Sequence, residues 1–296
     1  MTKQLLSKIE GCYSSMSKGH KRITDYITEN YDKAAFMTAA KLGDAVGVSE
    51  STVVRFASEL GFSGYPQLQK TLQEVVKSRL TSVQRMEAAG GEDMLEHAFS
   101  SDIDTIKATR ESISREAFNA SVEAINRAKH IYVLGVRSAA SLASFAAFYL
   151  NFVYDSVTLI EPAGTGEAFD QAFRINKDDV CIAISFPRYS KQTINMLRFI
   201  SDRGATVISV TDSENSPIAQ FATHLLLARS SMVSFVDSLV APLSLINALI
   251  AAAASEKSGE VYSNLSSLEN IWDEYQIYPV SYTHLEPTRL DVISYA

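Results

Sequence analysis

Two different patterns of apolar positions divide this chain. In the first 80 residues, hydrophobic side chains recur every three or four positions, which is the period of amphipathic helices. From residue 130 onward, short apolar runs alternate with helical patterns. The runs lie at 130–135, 157–160, 179–185, 206–210 and 224–228. The sequence therefore predicts an all-α domain followed by an α/β domain, whose mostly parallel five-stranded sheet is flanked by helices.

Residues 41–61 predict two short helices joined by a tight turn. Apolar residues three and four positions apart share one face of each helix. Gly47 suits the end of the first helix, because glycine readily takes the left-handed conformation of a helix terminus. Ser49 suits the N-cap of the second helix. An ordinary antiparallel helix pair would show the same spacing, so the spacing alone leaves DNA binding open.

The outer face of the second helix is short, hydroxyl-rich and carries one arginine. Such a face suits a recognition helix in the major groove of DNA. We predict that Ser51, Thr52 and Arg55 contact base edges, while Lys41 and nearby basic groups contact phosphates. The full set of predicted DNA-binding residues is Lys41, Ser49, Ser51, Thr52 and Arg55.

Two segments carry a family resemblance. The sequence Val48–Phe56, followed by Leu60–Pro66, closely resembles the N-terminal domain of RpiR-family transcriptional regulators. Residues 93–278 resemble a sugar isomerase (SIS) domain, the phosphosugar-binding module joined to this type of helix-turn-helix. The resemblance implies a bacterial regulator of transcription with two partners, double-stranded operator DNA and a phosphorylated sugar or related effector. A DNA half-site alone would bind weakly, so we expect the SIS domain to pair subunits into a homodimer or homotetramer.

The expected domain boundaries follow from these patterns. Residues 1–80 would form the helix-turn-helix domain, 81–92 a linker and 93–278 the SIS domain. Residues 279–296 lack periodicity, and Val280–Leu285 resembles a translated sequencing adapter, so we expect a non-native tail. An ordinary C-terminal extension is the alternative.

Charge is distributed unevenly along the 296 residues. The net charge is −7, yet residues 1–80 hold eleven basic and eight acidic residues, a net charge of +3. The remaining residues hold sixteen basic and twenty-six acidic ones, a net charge of −10. Only the first part can meet DNA phosphates favourably.

The composition predicts a cytoplasmic protein without a metal or another cofactor. The two cysteines and five histidines are scattered, which argues against a disulfide framework or a zinc site. No leader peptide is recognisable. The most apolar stretch, 239–254, is too short to span a membrane, so we expect no membrane contact.

Two hydroxyl-rich segments follow the first and third predicted strands, at 135–141 and 185–193. Ligands of open α/β sheets bind at the carboxyl ends of strands, where helix N-termini and hydroxyls can hold a phosphate. The alternative is that the serines only cap helices and the arginines lie at the surface. The predicted ligand-binding residues are Arg137, Ser138, Ser185, Arg188, Ser190 and Thr193.

The SIS resemblance implies phosphate contacts from Ser138, Ser185, Ser190 and Thr193. One departure from the common SIS loop stands out at Phe186–Pro187–Arg188, where the family pattern has a polar residue, serine and glycine. Pro187 removes a backbone donor, and Arg188 places a charge where glycine is permissive. This departure leaves it open whether the ligand is a simple sugar phosphate.

The main alternative function is an aldose–ketose phosphate isomerase with an accessory helical domain. Catalysis would require a positioned base, and we predict no catalytic residue. Glu167 more simply favours a helix N-terminus, Asp212 a turn, and His224 a core position. A third possibility is a ligand-independent oligomerisation module on a DNA-binding head.

Overall fold

The computed structural model describes residues 11–79, 83, 85, 86, 93–161 and 165–278. The chain divides into two compact units. The first comprises residues 1–101 and 231–238, and the second comprises residues 102–230 and 239–296.

Five helices of the first unit have both ends within the described residues before residue 80. They are α1 (Lys18–Glu29), α2 (Tyr31–Ala34), α3 (Ala39–Val46), α4 (Glu50–Glu59) and α5 (Tyr65–Arg79). Ser17, Thr38 and Ser49 cap α1, α3 and α4 by accepting a hydrogen bond from a backbone N–H three residues on.

A hydrophobic core joins the helices of the first unit. The apolar faces of α3 and α4 meet α1 and α5, and the side chains at the centre are completely buried. They include Ile23, Leu42, Val53, Phe56 and Leu72. Six inward positions were predicted for the two-helix motif. The prediction is wrong for Ala45, which is exposed, and Val46 is half-buried; the buried ones are Leu42, Val53, Ala57 and Leu60.

In the second unit, strands alternate with helices. Two helices, α6 (Met94–Ser112) and α7 (Arg115–Arg127), precede the sheet, α6 beginning in the first unit. The strands are β1 (Ile131–Gly135), β2 (Val157–Ile160), β3 (Val180–Ile184), β4 (Thr206–Thr211) and β5 (His224–Leu227). The other helices are α8 (Ala140–Leu150), α9 (Thr165–Ala172), α10 (Lys191–Asp202), α11 (Val240–Glu256) and α12 (Ser258–Glu274).

The five strands form one parallel sheet in the order β2-β1-β3-β4-β5. Successive residues of β1 enter different cores. Ile131 and Val133 pack with α7, α8 and α11, while Tyr132 and Leu134 pack with α9 and α10. Helices thus cover both faces, which explains why the strands are apolar at nearly every position. The predicted α/β architecture is confirmed.

Several predicted boundaries were wrong. The apolar pattern of the sequence predicts a helix over about 234–255, but residues 231–238 contain a two-stranded antiparallel ribbon of β6 (Ser231–Met232) and β7 (Asp237–Ser238). As a result, α11 begins only at Val240. The ribbon was not predicted because two-residue strands are too short to show an apolar alternation. The sequence also predicts a helical segment from Ser138 to Phe152, but a 3-10 turn at Arg137–Ala139 comes first and α8 begins at Ala140.

Two predicted segments fall mainly on residues that the structure does not describe. Of the linker expected at 81–92, Val83, Arg85 and Met86 are described and are helical, and Arg85 is buried. Its guanidinium lies 2.5 Å from the Asp237 carboxylate within the first unit. The tail expected at 279–296 lies outside the described residues.

Candidate DNA-binding and effector-binding sites

The turn between α3 and α4 has the tight geometry that the sequence predicted. Gly47 ends α3 with φ of 68°, in the left-handed region. The backbone N–H of Val48 donates to the carbonyl of Gly43 over 2.9 Å. A Cβ at Gly43 would lie only 2.7 Å from the Val48 carbonyl oxygen, so only glycine fits this approach of helix and turn.

The start of α4 gathers four of the five predicted DNA-binding residues. Ser49 Oγ accepts from the Thr52 N–H and lies 2.9 Å from Ser51 Oγ and 2.8 Å from Thr52 Oγ1. Arg55 Nε donates to the carbonyl oxygen of Ser51 at 3.3 Å. Ser49, Ser51 and Arg55 are exposed, whereas Thr52 is half-buried. Lys41, the fifth predicted residue, is exposed on α3.

Two contacts that the sequence analysis missed hold α1 against the motif. His20 Nδ1 lies 2.6 Å from a carboxylate oxygen of Glu59, and the His20 ring packs edge-on against Phe56. Glu59, the last residue of α4, thus pairs with this buried histidine. Arg22 donates to the Gly47 carbonyl oxygen over 3.0 Å and so braces the turn. No local signal marks these pairs, because His20 and Glu59 are 39 positions apart.

In the second unit, the register of the sheet brings the predicted effector loops to one edge. Gly135 of β1 pairs with Ile184 of β3, and Ile184 pairs with Val210 of β4. The segments that begin at Val136, Ser185 and Thr211 therefore leave the sheet side by side. Because β1 and β3 are neighbours in the sheet, the two hydroxyl-rich loops follow adjacent strands.

Both predicted arginines of these loops have left-handed backbone conformations. Arg137 has φ of 58° and Arg188 has φ of 74°, and both side chains are exposed. Residues other than glycine rarely adopt such angles, which cost about 1 kcal/mol or more per residue. Arg188 thus occupies a position where the backbone itself favours the glycine of the common SIS loop.

The hydroxyls of the two loops differ in what they bind. Ser190 Oγ caps α10 by accepting from the Gln192 N–H over 3.2 Å. Ser138 is exposed, and in the described residues no side-chain hydrogen bond caps either the 3-10 turn or α8. The capping alternative therefore holds for Ser190 but not for Ser138. Ser185 is buried at the end of β3.

Thr193, in the first turn of α10, is fully buried, with 0% of its surface exposed. Its Oγ1 has no hydrogen-bond partner among the described residues. A buried hydroxyl without a partner costs about 1–3 kcal/mol, so such groups are rare in folded proteins. A ligand oxygen at the start of α10 would relieve this cost.

A hydrogen bond that the sequence analysis did not foresee links two of the strand-end loops. The Tyr189 hydroxyl donates to Asp212 Oδ1 over 2.5 Å, and the Thr211 hydroxyl donates to the same oxygen over 3.2 Å. Burial raises the pKa of the Asp212 carboxyl, against the effect of these hydrogen bonds. Asp212 therefore anchors the residue that follows Arg188.

Of the residues considered for catalysis, Glu167 and Asp212 follow strands that end at this edge, whereas His224 does not. Glu167 lies exposed in the first turn of α9, where a carboxylate favours the helix terminus. His224 begins β5 and so lies at the opposite, amino-terminal edge of the parallel sheet. Over the described part of the chain, no three His, Cys, Asp or Glu side chains cluster as metal ligands would. No helix within those residues is long and apolar enough to cross a membrane.

Comparison with protein families gives two matches. Residues 3–79 match the helix-turn-helix domain of the rpiR family, and residues 124–252 match the SIS domain. Together they define a transcriptional regulator with a DNA-binding head and a sugar isomerase-type domain. The chain belongs to the RpiR family of transcriptional regulators.

Relatives with curated names are regulators of the same type. The chain is 25% identical over 228 residues to the HTH-type transcriptional regulator HexR of Pseudomonas aeruginosa. The alignment covers 75% of this chain and 77% of HexR. The chain is also 26% identical over 231 residues to the uncharacterized HTH-type regulator YfhH of Escherichia coli, covering 75% and 80% respectively.

Two solved structures share the fold. The sugar isomerase domain of an RpiR transcription factor from Sphaerobacter thermophilus aligns with a TM-score of 0.55 and 29% identity, over 58% of this chain and 96% of that one. NanR of Vibrio vulnificus, solved in complex with ManNAc-6P, aligns with a TM-score of 0.57 and 22% identity, over 92% of this chain and 98% of that one.

Proposed function

We propose that this protein binds operator DNA through α4 and changes its DNA affinity when a phosphorylated sugar or a related metabolite binds at the carboxyl edge of the sheet. The observation that supports the effector site best is the buried Thr193 hydroxyl at the start of α10, for which the described residues provide no hydrogen-bond partner. The helix N-terminus there offers backbone donors, and its dipole favours an anion.

The DNA-binding half of the proposal relies on the exposed start of α4. Ser49, Ser51 and Arg55 are exposed at the end of the helix that enters the major groove in helix-turn-helix proteins. Arg55 can donate in a bidentate manner to a guanine. Lys41 on α3 is placed to meet a phosphate. A single head would bind weakly, so we expect a homodimer or homotetramer that places two heads about one helical turn apart, roughly 34 Å.

Substitution of Arg55 tests the proposal that its side chain contacts a base of the operator. We expect Arg55→Ala to weaken operator binding by about 1–3 kcal/mol and to relax base preference at one position. Lys33→Ala is a matched control, because it removes one exposed positive charge from α2 of the same unit. Fluorescence anisotropy on the operator and on scrambled DNA measures both effects. Equal losses in the two variants would remove Arg55 from the base-reading set.

Substitution of Thr193 tests the effector site. Thr193→Val keeps the shape of the side chain and deletes only the unpartnered hydroxyl. We expect folding stability to stay the same or rise, because a buried polar group without a partner is lost. Effector affinity should fall about tenfold, for the loss of roughly 1.4 kcal/mol of hydrogen bonding. A destabilised Thr193→Val variant with unchanged effector affinity would assign the hydroxyl a structural role.

The isomerase alternative finds less support. A sugar-phosphate isomerase needs a positioned acid or base at the substrate. The segments that follow the five strands contain no histidine; they are 136–141, 161–164, 185–190, 212–218 and 228–230. The Asp212 carboxylate is held by the Tyr189 hydroxyl. Curated relatives are named as regulators of transcription. We therefore propose a role in regulation without catalysis.

A further inference from the structure

The loops after β1 and β3 carry two arginines and no acidic residue. Segments 136–139 and 185–190 are Val-Arg-Ser-Ala and Ser-Phe-Pro-Arg-Tyr-Ser. We propose that the effector carries two acidic groups, a phosphate bound at the start of α10 and a carboxylate bound by Arg137 and Arg188. This inference rests on the proposed function, because it concerns the chemistry of the same effector.

Arg137 and Arg188 follow strands that end at one edge of the sheet. Gly135 and Ile184 are paired across neighbouring strands, and Arg137 and Arg188 follow them by two and four residues. Neighbouring strands lie about 4.8 Å apart, so both arginine side chains can reach one small ligand. A guanidinium presents a planar fork of donors that matches a carboxylate, and it stays charged throughout the physiological pH range.

The backbone at both arginines argues for a ligand role. Glycine would take φ of 58° or 74° without steric cost, whereas arginine does not. Outliers of this kind persist where the surrounding structure holds them and where the side chain has a use. Two of the three non-glycine residues with positive φ in the described chain are these arginines. The third, Gln276, follows α12, away from any strand end.

A phosphate alone would not need these charges. The start of α10 already offers the Thr193 hydroxyl, the Ser190 hydroxyl and the N–H groups of a helix terminus. A dianion at such a terminus is well supported without an arginine. Tyr189 directly follows Arg188, and its hydrogen bond to Asp212 limits the movement of the loop. The arginines are therefore placed to recognise a second acidic group.

The test compares ligands that differ only in this group. Hexonate 6-phosphates and the hexitol 6-phosphates of the same configuration differ by a carboxylate in place of a hydroxymethyl group. We expect isothermal titration calorimetry on the full chain to show one acid binding about 10- to 100-fold more tightly than its alcohol, the range of a charge-assisted hydrogen-bond pair. In Arg188→Gly, this ratio should fall several-fold, because Arg137 alone remains to bind the carboxylate, while the melting temperature rises.

Gln276→Gly is the matched control, because it relieves the same kind of left-handed backbone outside the site. It should leave the ratio of acid to alcohol affinity unchanged. Equal affinity for acid and alcohol in the wild type, or an unchanged ratio in Arg188→Gly, would overturn the second acidic group while leaving phosphosugar sensing intact. Failure of both ligand series to bind would count against the effector half of the proposed function as well.

Discussion

Replacing Gly43 by alanine tests how the helix-turn-helix is built. A Cβ at this position would lie 2.7 Å from the Val48 carbonyl oxygen and 3.4 Å from the Glu50 nitrogen. Both are backbone atoms of the turn and of the start of α4, so no side-chain rotation can relieve the clash. Overpacking of this kind costs about 1–3 kcal/mol, while alanine returns about 1 kcal/mol of helix propensity. We expect a net loss of up to about 2 kcal/mol and a displaced α4.

The assay combines far-UV circular dichroism with operator binding. Gly43→Ala should unfold at lower denaturant and bind operator more weakly, because α4 can no longer keep its angle to α3. Gly259→Ala is the matched control, since nothing lies within 4 Å of a Cβ there and the residue is also helical. Stability and operator affinity equal to the control would refute the view that backbone contact sets the geometry of the motif.

Three further predictions follow from single contacts. Gly135→Ala places a Cβ 2.6 Å from the Ala139 carbonyl oxygen, so calorimetry should show effector binding weakened at least tenfold, with stability about 1–3 kcal/mol lower in chemical unfolding. Asp237→Ala leaves the buried Arg85 guanidinium without this partner, and denaturant titration should show a loss of about 3–5 kcal/mol. Tyr189→Phe removes the hydroxyl that bonds to the carboxylate after β4; anisotropy should show unchanged operator affinity, while calorimetry shows weaker effector binding.

Local signals explain why much of the first unit was predictable from the sequence. Gly47 and Ser49 act through their own backbone and that of the next few residues, so their roles can be read from neighbouring positions. Apolar residues at helical spacing likewise predict the buried face of α4. The His20–Glu59 pair was missed because it joins α1 to the end of α4, and no periodicity links such distant residues.

The second unit shows the same limit. The five apolar runs and the glycine after the first predicted the parallel sheet, because a strand buried on both faces is apolar throughout. The Tyr189–Asp212 hydrogen bond depends on the order of strands in the sheet, which the sequence does not state. The ribbon of β6 and β7 was missed because two-residue strands carry no recognisable pattern.

The positive φ values at Arg137 and Arg188 also lie beyond sequence reasoning. An arginine gives no local signal of a left-handed backbone, whereas a glycine does. Resemblance to the common SIS loop pointed to Arg188 as a replacement for glycine, and the backbone there has the conformation that glycine favours. For Arg137 no such signal existed. Unpartnered groups such as Thr193 Oγ1 are likewise visible only once the packing around them is known.

The central claim is that one chain couples operator binding to an effector. The most direct measurement is fluorescence anisotropy of the full-length protein on DNA from upstream of its own gene, at several salt concentrations, with and without a panel of phosphorylated sugars and sugar acids. Our account predicts tight, sequence-selective binding whose affinity one compound shifts, because that compound binds one arrangement of the two DNA-binding heads more tightly. Selective binding that no compound shifts, or no selective binding to any upstream fragment, would contradict it.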